Sequence, residues 1–322
     1  MVDGLATAGT SAHRYNAVDP PLLLVSPVPP DGVGPADGSG FLWWSHRLRS
    51  SRAVLGLSAL TLAGAVSTGA EGWDFAAWRT ESAAVEAFLR DAEVIGSEPI
   101  PVGISRPTKL TLALGELEGA AIFKTIDVFE TKMEFEDGSF AINFRDSYKN
   151  ELAAYELDKL LGLGLVPPTV ERRLDDVTGA VRLWIEGAMT EAERQAQGLG
   201  APDPAAWSRE VAAVRLFYNL TGNTDYRNIR NLLVDGSFRI CAIDHSRAFQ
   251  TSKRLVSERL LVRFSRDLLA RLEALDDRVL AERLGAWVSR AQIKALLARR
   301  DRILARAEKM VALKGEAAVL YP

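Results

Sequence analysis

The sequence contains a single cysteine, Cys241, in 322 residues. No intramolecular disulfide can form, and no cysteine-based zinc site can be built. Histidine is almost as scarce, and His13, His46 and His245 are too scattered along the chain for a ligand cluster. A bound metal would therefore have to rest on oxygen ligands. An excess of one charge is missing too. The formal net charge is -3, and without a basic surplus no broad face for nucleic-acid phosphates is expected. What is present, 48% hydrophobic and 25% charged residues, suits a globular chain with mass for one large or two modest cores.

Residues 1–40 are rich in Pro, Gly, Ala and Ser and show no apolar periodicity, which predicts a disordered leader. Within 41–70, Arg47, Arg49 and Arg52 precede an apolar run at about 53–66 and then small residues ending at Ala70. That is the order of a secretory signal, although such a signal normally lacks so long a preface. The run is shorter than the roughly 20 apolar residues of a membrane-spanning helix. The reading is an exported, periplasmic or membrane-associated protein, with membrane proximity through residues 47–70; a cytoplasmic location is the alternative.

From residue 71 onward the pattern becomes regular. Phe75, Trp78, Val85, Phe88 and Leu89 recur near helical spacing, with Thr80 as the capping residue. Alternation with Gly, Pro and Thr punctuation predicts antiparallel strands at 109–114 and 120–126, joined by a turn over 115–119. The second strand carries Lys124 among apolar residues; such a lysine either points outward on the alternation or is buried against a partner. Asp146 or Ser147 can cap the next helix, which holds Leu152, Tyr155 and Leu160 and ends near Gly162. Glu151 sits in its first turns, where the helix dipole favours a carboxylate in any case. A strand at 181–185 connects a sheet-rich half to a helical half, and a helix at 204–220 delivers the chain to Asp225. Asp225, Asn228, Asn231 and Asp244 then surround one hydrophobic strand. One Asx residue at each end would serve the turns; the others are surplus. Residues 257–313 read as two or three solvated amphipathic helices.

The parts occur in a telling order: strand lysine, helix glutamate, connector, helix, a loop with Asp and Asn, strand, Asp. Phosphoryl transfer needs a cation against a polyphosphate, hard oxygen ligands for a divalent metal, and a group that orients a hydroxyl. The stretches AIFK, NELAAYELDKLLGLGLVPPTVERR, LFYNLTGNTDYRNIRNLLV and AIDHSRAF resemble the bacterial relatives of the secretory-pathway kinases that phosphorylate casein-like substrates. That branch of the atypical kinases also includes the phosphatidylinositol 3- and 4-kinases and the HipA-type kinases. The resemblance runs from about Trp73 to the C-terminal helices.

The resemblance implies an α+β, bilobed, protein-kinase-like fold over 71–322. A small antiparallel-sheet N-lobe with one key helix would occupy about 71–186, and a mainly helical C-lobe about 187–322. It implies ATP and Mg2+ or Mn2+ as cofactors. Lys124 would bind the α and β phosphates, Glu151 would hold Lys124 or help hold metal, and Ile185 in the connector is counted with the cofactor-binding residues. Asp225 would be the catalytic aspartate. Asp244 would be the metal ligand with Asn231, and Asn228 is the reserve candidate. Residues 103–109 would cover the phosphates, although they lack a Gly-rich repeat. The expected acceptor is a hydroxyl, on a protein in the first place and otherwise on a lipid headgroup or small molecule; no nucleic-acid partner is expected. One departure matters. In the usual loop an asparagine stands five residues after the aspartate; here that residue is Arg230, and the usual histidine is also absent. The departure keeps open a pseudokinase that binds nucleotide or a partner without turnover. A nucleotidyl transferase on the same scaffold and a structural adaptor stay open beside it.

Overall fold

The computed structural model describes residues 77–322 apart from 101–106, 135–137 and 139, all within one compact unit of the chain. The expected leader, the segment at 41–70 and most of the expected phosphate-covering loop lie outside the described residues.

Two short helices come first, α1 (Ala77–Thr80) and α2 (Ser82–Asp91). Thr80 ends α1 instead of capping α2, whose N-cap Glu81 makes no side-chain capping bond. Strands β1 (Glu93–Pro99), β2 (Thr108–Leu114) and β3 (Leu117–Lys124) form an antiparallel meander. Its β2–β3 turn is shorter than the spacing predicts, because Gly115 adopts a φ of 64° and reverses the chain within two residues. A separate hairpin, β4 (Asp127–Glu134) with β5 (Phe140–Ser147), leads into α3 (Tyr148–Leu161). Strands β6 (Thr169–Leu174) and β7 (Val177–Leu183) complete a five-stranded sheet of order β1-β2-β3-β7-β6.

The alternation of side chains along β7 decides what each face meets. Val181 and Leu183 join Leu110, Leu112 and Ala121 in a buried cluster with Val85, Phe88 and Leu89 of α2. Ala180, on the other face, packs with Tyr148 and Leu152 of α3. Since Lys124 pairs with Ala180 and Ile122 with Arg182, Lys124 lies on the α3 face. It does not point outward into solvent.

Ser147 is the N-cap of α3, with Oγ accepting from the Lys149 amide at 3.3 Å, and Gly162 ends the helix at φ 60°. Near this end Asp158 is buried, both its oxygens accepting from the Leu165 amide at 3.1 Å. Burial outweighs these backbone donors and raises its carboxyl to about 7. A carboxyl with a raised folded-state value contributes most below its unfolded value, near 4, and loses that contribution as pH climbs to about 7. Asp158→Asn has no such dependence. Whatever its constant offset, the melting temperature of the variant relative to the parent is expected to rise as pH goes from about 4 to 7, by the equivalent of a few kcal/mol. Thermal melts of both proteins across that range check it; a difference independent of pH would contradict it.

The C-terminal half is mainly helical. It comprises β8 (Met189–Thr190), α4 (Glu191–Ala196), α5 (Pro204–Thr221), the antiparallel pair β9 (Leu232–Val234) and β10 (Ile240–Ala242), β11 (Phe264–Ser265), α6 (Arg266–Ala274), α7 (Asp277–Leu284), α8 (Arg290–Lys314), α9 (Glu316–Val319) and β12 (Leu320–Tyr321). Asp203 caps α5 by accepting from the amides of Ala205 and Ala206. At the other end, Gly222 takes a φ of 64°, and a Cβ there would lie 2.9 Å from the Arg299 guanidinium.

Arg299 of α8 is fully buried and donates to four backbone carbonyls. Nε reaches Leu220 at 2.8 Å, Nη2 reaches Thr221 at 3.2 Å, and Nη1 reaches both Gln250, at 2.8 Å, and Ser252. Burial, with no carboxylate partner among the described residues, lowers its guanidinium to about 10. The side chain thus joins the end of α5 to the segment that follows β10.

Candidate active site

Three elements meet at Lys124. It ends β3, is 6% exposed, and its Nζ donates to Glu151 Oε1 of α3 at 2.6 Å and to Asp244 Oδ1, beyond β10, at 2.8 Å. Glu151 is 2% exposed and held on its other oxygen as well, where Oε2 accepts from the His245 amide at 3.1 Å. Burial opposes the charge on all three groups. Their mutual attraction wins: Lys124 is raised above its ordinary value, and Glu151 and Asp244 are held below theirs by the Lys124 ammonium. At neutral pH the triad is one cation between two anions.

Asp244 occupies the left-handed region with φ 61°, uncommon for a residue other than glycine but most tolerated by Asp and Asn. The bond from Lys124 and one from Ser246 Oγ at 3.1 Å, both to Oδ1, fix it there. His245 is buried beneath, its Nε2 donating to the Ala242 carbonyl at 3.2 Å and its ring edge-on to Phe217 and Tyr218. Burial lowers its pKa and keeps it neutral.

Asp225, Asn228 and Asn231 form a second group after α5. Asn231 Nδ2 and Asn228 Nδ2 both donate to Asp225 Oδ2, at 2.8 and 3.2 Å. Burial raises the Asp225 carboxyl, opposed by the Asn228 amide and reinforced by the charge of Asp244. The two asparagines differ in what their carbonyl oxygens do. Asn228 Oδ1 caps the 3-10 turn Ile229–Asn231 by accepting from the Arg230 amide, whereas Asn231 Oδ1 accepts from none of the described residues. Asn231 also accepts the Ile243 amide on its backbone carbonyl at 2.8 Å, one residue before Asp244.

Ile185 stands apart from these polar groups, its side chain buried in the apolar cluster with Val181, Leu183 and Cys241. Among the described residues no three His, Cys, Asp or Glu side chains converge on a metal site. The donor set here, Asp244 and the Asn231 amide, is nevertheless of the hard oxygen type that Mg2+ or Mn2+ takes, with the remaining positions left to ligand oxygens and water.

Several residues at the site carry no motif. Asn150 Nδ2 donates to the carbonyls of Ser246 and Ala248 at 2.6 and 3.1 Å, and the Ser147 amide donates to Ser246 at 3.0 Å. Asp146, expected only as a helix cap, is the buried penultimate residue of β5 and accepts from Arg247 Nε at 3.4 Å. Position is the one signal that could have found them: each stands within a few residues of Glu151 or Asp244.

No protein-family model matches the chain, and no curated protein matches it. Solved structures do. The structure of hydra Fam20 with sugar superposes with a TM-score of 0.51 at 15% identity, over 74% of this chain and 91% of that one. The Golgi casein kinase gives 0.52 at 14% identity, over 74% and 78%. At such identities the likeness speaks for the fold, and the antiparallel sheet of five strands with its accompanying helices agrees with it. The chain has an atypical kinase-like fold.

Proposed function

We propose that the protein is an ATP-dependent phosphotransferase that moves the γ-phosphate to a hydroxyl of an acceptor, most simply a protein side chain. The observation that carries this reading is the double contact of Lys124 with Glu151 and Asp244, with Asp225 and Asn231 bonded to each other beside it. Lys124 would turn its ammonium to the α and β phosphates while Glu151 keeps it in place. Asp244, whose Oδ2 takes no hydrogen bond from the described residues, and Asn231 through Oδ1 would hold Mg2+ or Mn2+. When bound, the ion supplies positive charge against the β and γ phosphates. Asp225 would orient the acceptor hydroxyl and accept its proton, a task its burial-raised basicity suits. Ile185 would serve the nucleotide through its backbone, since its side chain belongs to the core.

The second reading is a protein that binds nucleotide without turnover, favoured by the turn that separates Asp225 from Asn231 by six positions. Incubation with γ-labelled ATP and either metal, followed by mass spectrometry of the products, separates the readings. ADP with a phosphorylated product, or ADP with phosphate, supports phosphotransfer; unchanged ATP despite binding supports the second reading; pyrophosphate would mean nucleotidyl transfer. Lys124→Met removes a charge-assisted contact worth about 1.5–3 kcal/mol and is expected to lower ATP affinity or rate at least about tenfold. Parental turnover in that variant would remove Lys124 from the mechanism.

A further inference from the structure

The face of the sheet that carries Lys124 also carries a second buried cation. Arg182 lies on β7, two residues from the Ala180 that packs on α3. Its partner across the strands is Ile122, two residues before Lys124. The two cations are therefore diagonal neighbours on one face, at a spacing on the order of 7–8 Å. Arg182 is 8% exposed, and its Nε and Nη1 are buried with no hydrogen-bond partner among the described residues. A guanidinium in that position is costly unless anions balance it.

The anions at hand are the two that Lys124 holds, Glu151 and Asp244, and the charge of Arg182 acts in favour of the ionised form of Glu151. Glu151 Oε2 is held by the His245 amide, so Oε1 is the oxygen that depends on Lys124. A ligand that draws Lys124 away leaves Oε1 in a buried place, on the sheet face where Arg182 holds donors unused. We propose that Arg182 is a positioning residue for Glu151, a second buried cation on the same face of the sheet that holds the carboxylate in place when Lys124 turns to a ligand. This goes beyond the proposed phosphotransfer and holds with or without turnover, because it concerns the balance of buried charge.

The test is a double-mutant cycle in thermal unfolding of the full chain without nucleotide, using Lys124→Met, Arg182→Met and both together. Each single variant keeps one cation beside Glu151 and is expected to lose a few degrees. The double variant strands a buried carboxylate, so its loss is expected to exceed the sum of the single losses, up to failure to fold. Adding Glu151→Gln to the double variant removes the stranded charge and is expected to restore a cooperative transition; a packing defect at Arg182 would not respond to it. Losses that simply add, or a triple variant no better than the double, overturn the proposal. ATP binding to the parent, measured separately by calorimetry, reports on the functional reading, so failure of one does not obscure the other.

Discussion

Asp225→Asn is expected to slow phosphoryl transfer by about 10²- to 10⁴-fold while leaving metal-dependent ATP binding close to that of the parent. The asparagine keeps an oxygen that can accept from Asn231 and Asn228, so the shape of the loop survives, but it cannot take a proton from the acceptor hydroxyl. Asp244→Ala should behave in the opposite way. It deletes the anionic oxygen proposed to face the cation and one of the two carboxylates on Lys124, so binding itself should weaken and turnover should fall with it. Titration calorimetry with a non-hydrolysable ATP analogue, paired with single-turnover assays on both variants, distinguishes the two roles. If Asp225→Asn abolished binding while Asp244→Ala preserved it, the roles would be exchanged. If neither changed anything, the phosphotransferase reading would fall.

The largest effect on stability is expected at Arg299, far from the motif residues in the sequence. Arg299→Met takes a donor from the carbonyls of Leu220, Thr221, Gln250 and Ser252; of these Leu220 and Thr221 are buried, and Thr221 keeps the bond from the Phe249 amide. Unmet buried groups cost about 1–3 kcal/mol each. The partly exposed carbonyls can turn to water, so a net loss of about 2–3 kcal/mol is expected, a drop on the order of 5–10 °C for a chain of this size. Arg299→Lys should recover only a fraction, because one ammonium cannot span carbonyls arranged for a planar fork. Circular-dichroism melts of the three proteins provide the check, and a drop of about 2 °C or less in Arg299→Met would show that the carbonyls find other donors. Because Leu220 and Gln250 lie just before Asp225 and just after Asp244, a partly folded Arg299→Met should also lose ATP binding before it loses its helices.

The sequence shows most clearly those parts whose local chemistry agrees with their tertiary role. Helix α3 has an N-cap in Ser147 and a glycine stop in Gly162, and α5 has Asp203 and Pro204 at its start; both can be bounded closely. The hairpin β4–β5 cannot. Its charged, largely exposed residues, among them Glu130, Lys132 and Glu134, give no clean alternation, and pairing with each other is what makes them strands. Likewise β6 begins directly after Pro167 and Pro168, which read as punctuation alone. Among the site residues, Lys124 is ambiguous until the β3–β7 register settles its face. Neither Arg182 nor Asn150 stands out along the chain, since a lone arginine in a strand or an asparagine in a helix says nothing until the opposing element is known.

The bonds from Ser147 and Asn150 to Ser246 and Ala248, together with that from the His245 amide to Glu151, have a consequence for motion. They stitch the first turn of α3 to the strip of chain that contains Asp244, from both sides of the Lys124 contact. An outward swing of α3 that parts Lys124 from Glu151 must therefore either break this seam or carry residues 244–248 along. The helix start and the strip should open as one cooperative unit. In native-state hydrogen exchange, the amide protons of Ser147 and His245 should share one opening free energy and one denaturant dependence, although nearly a hundred residues separate them in the chain.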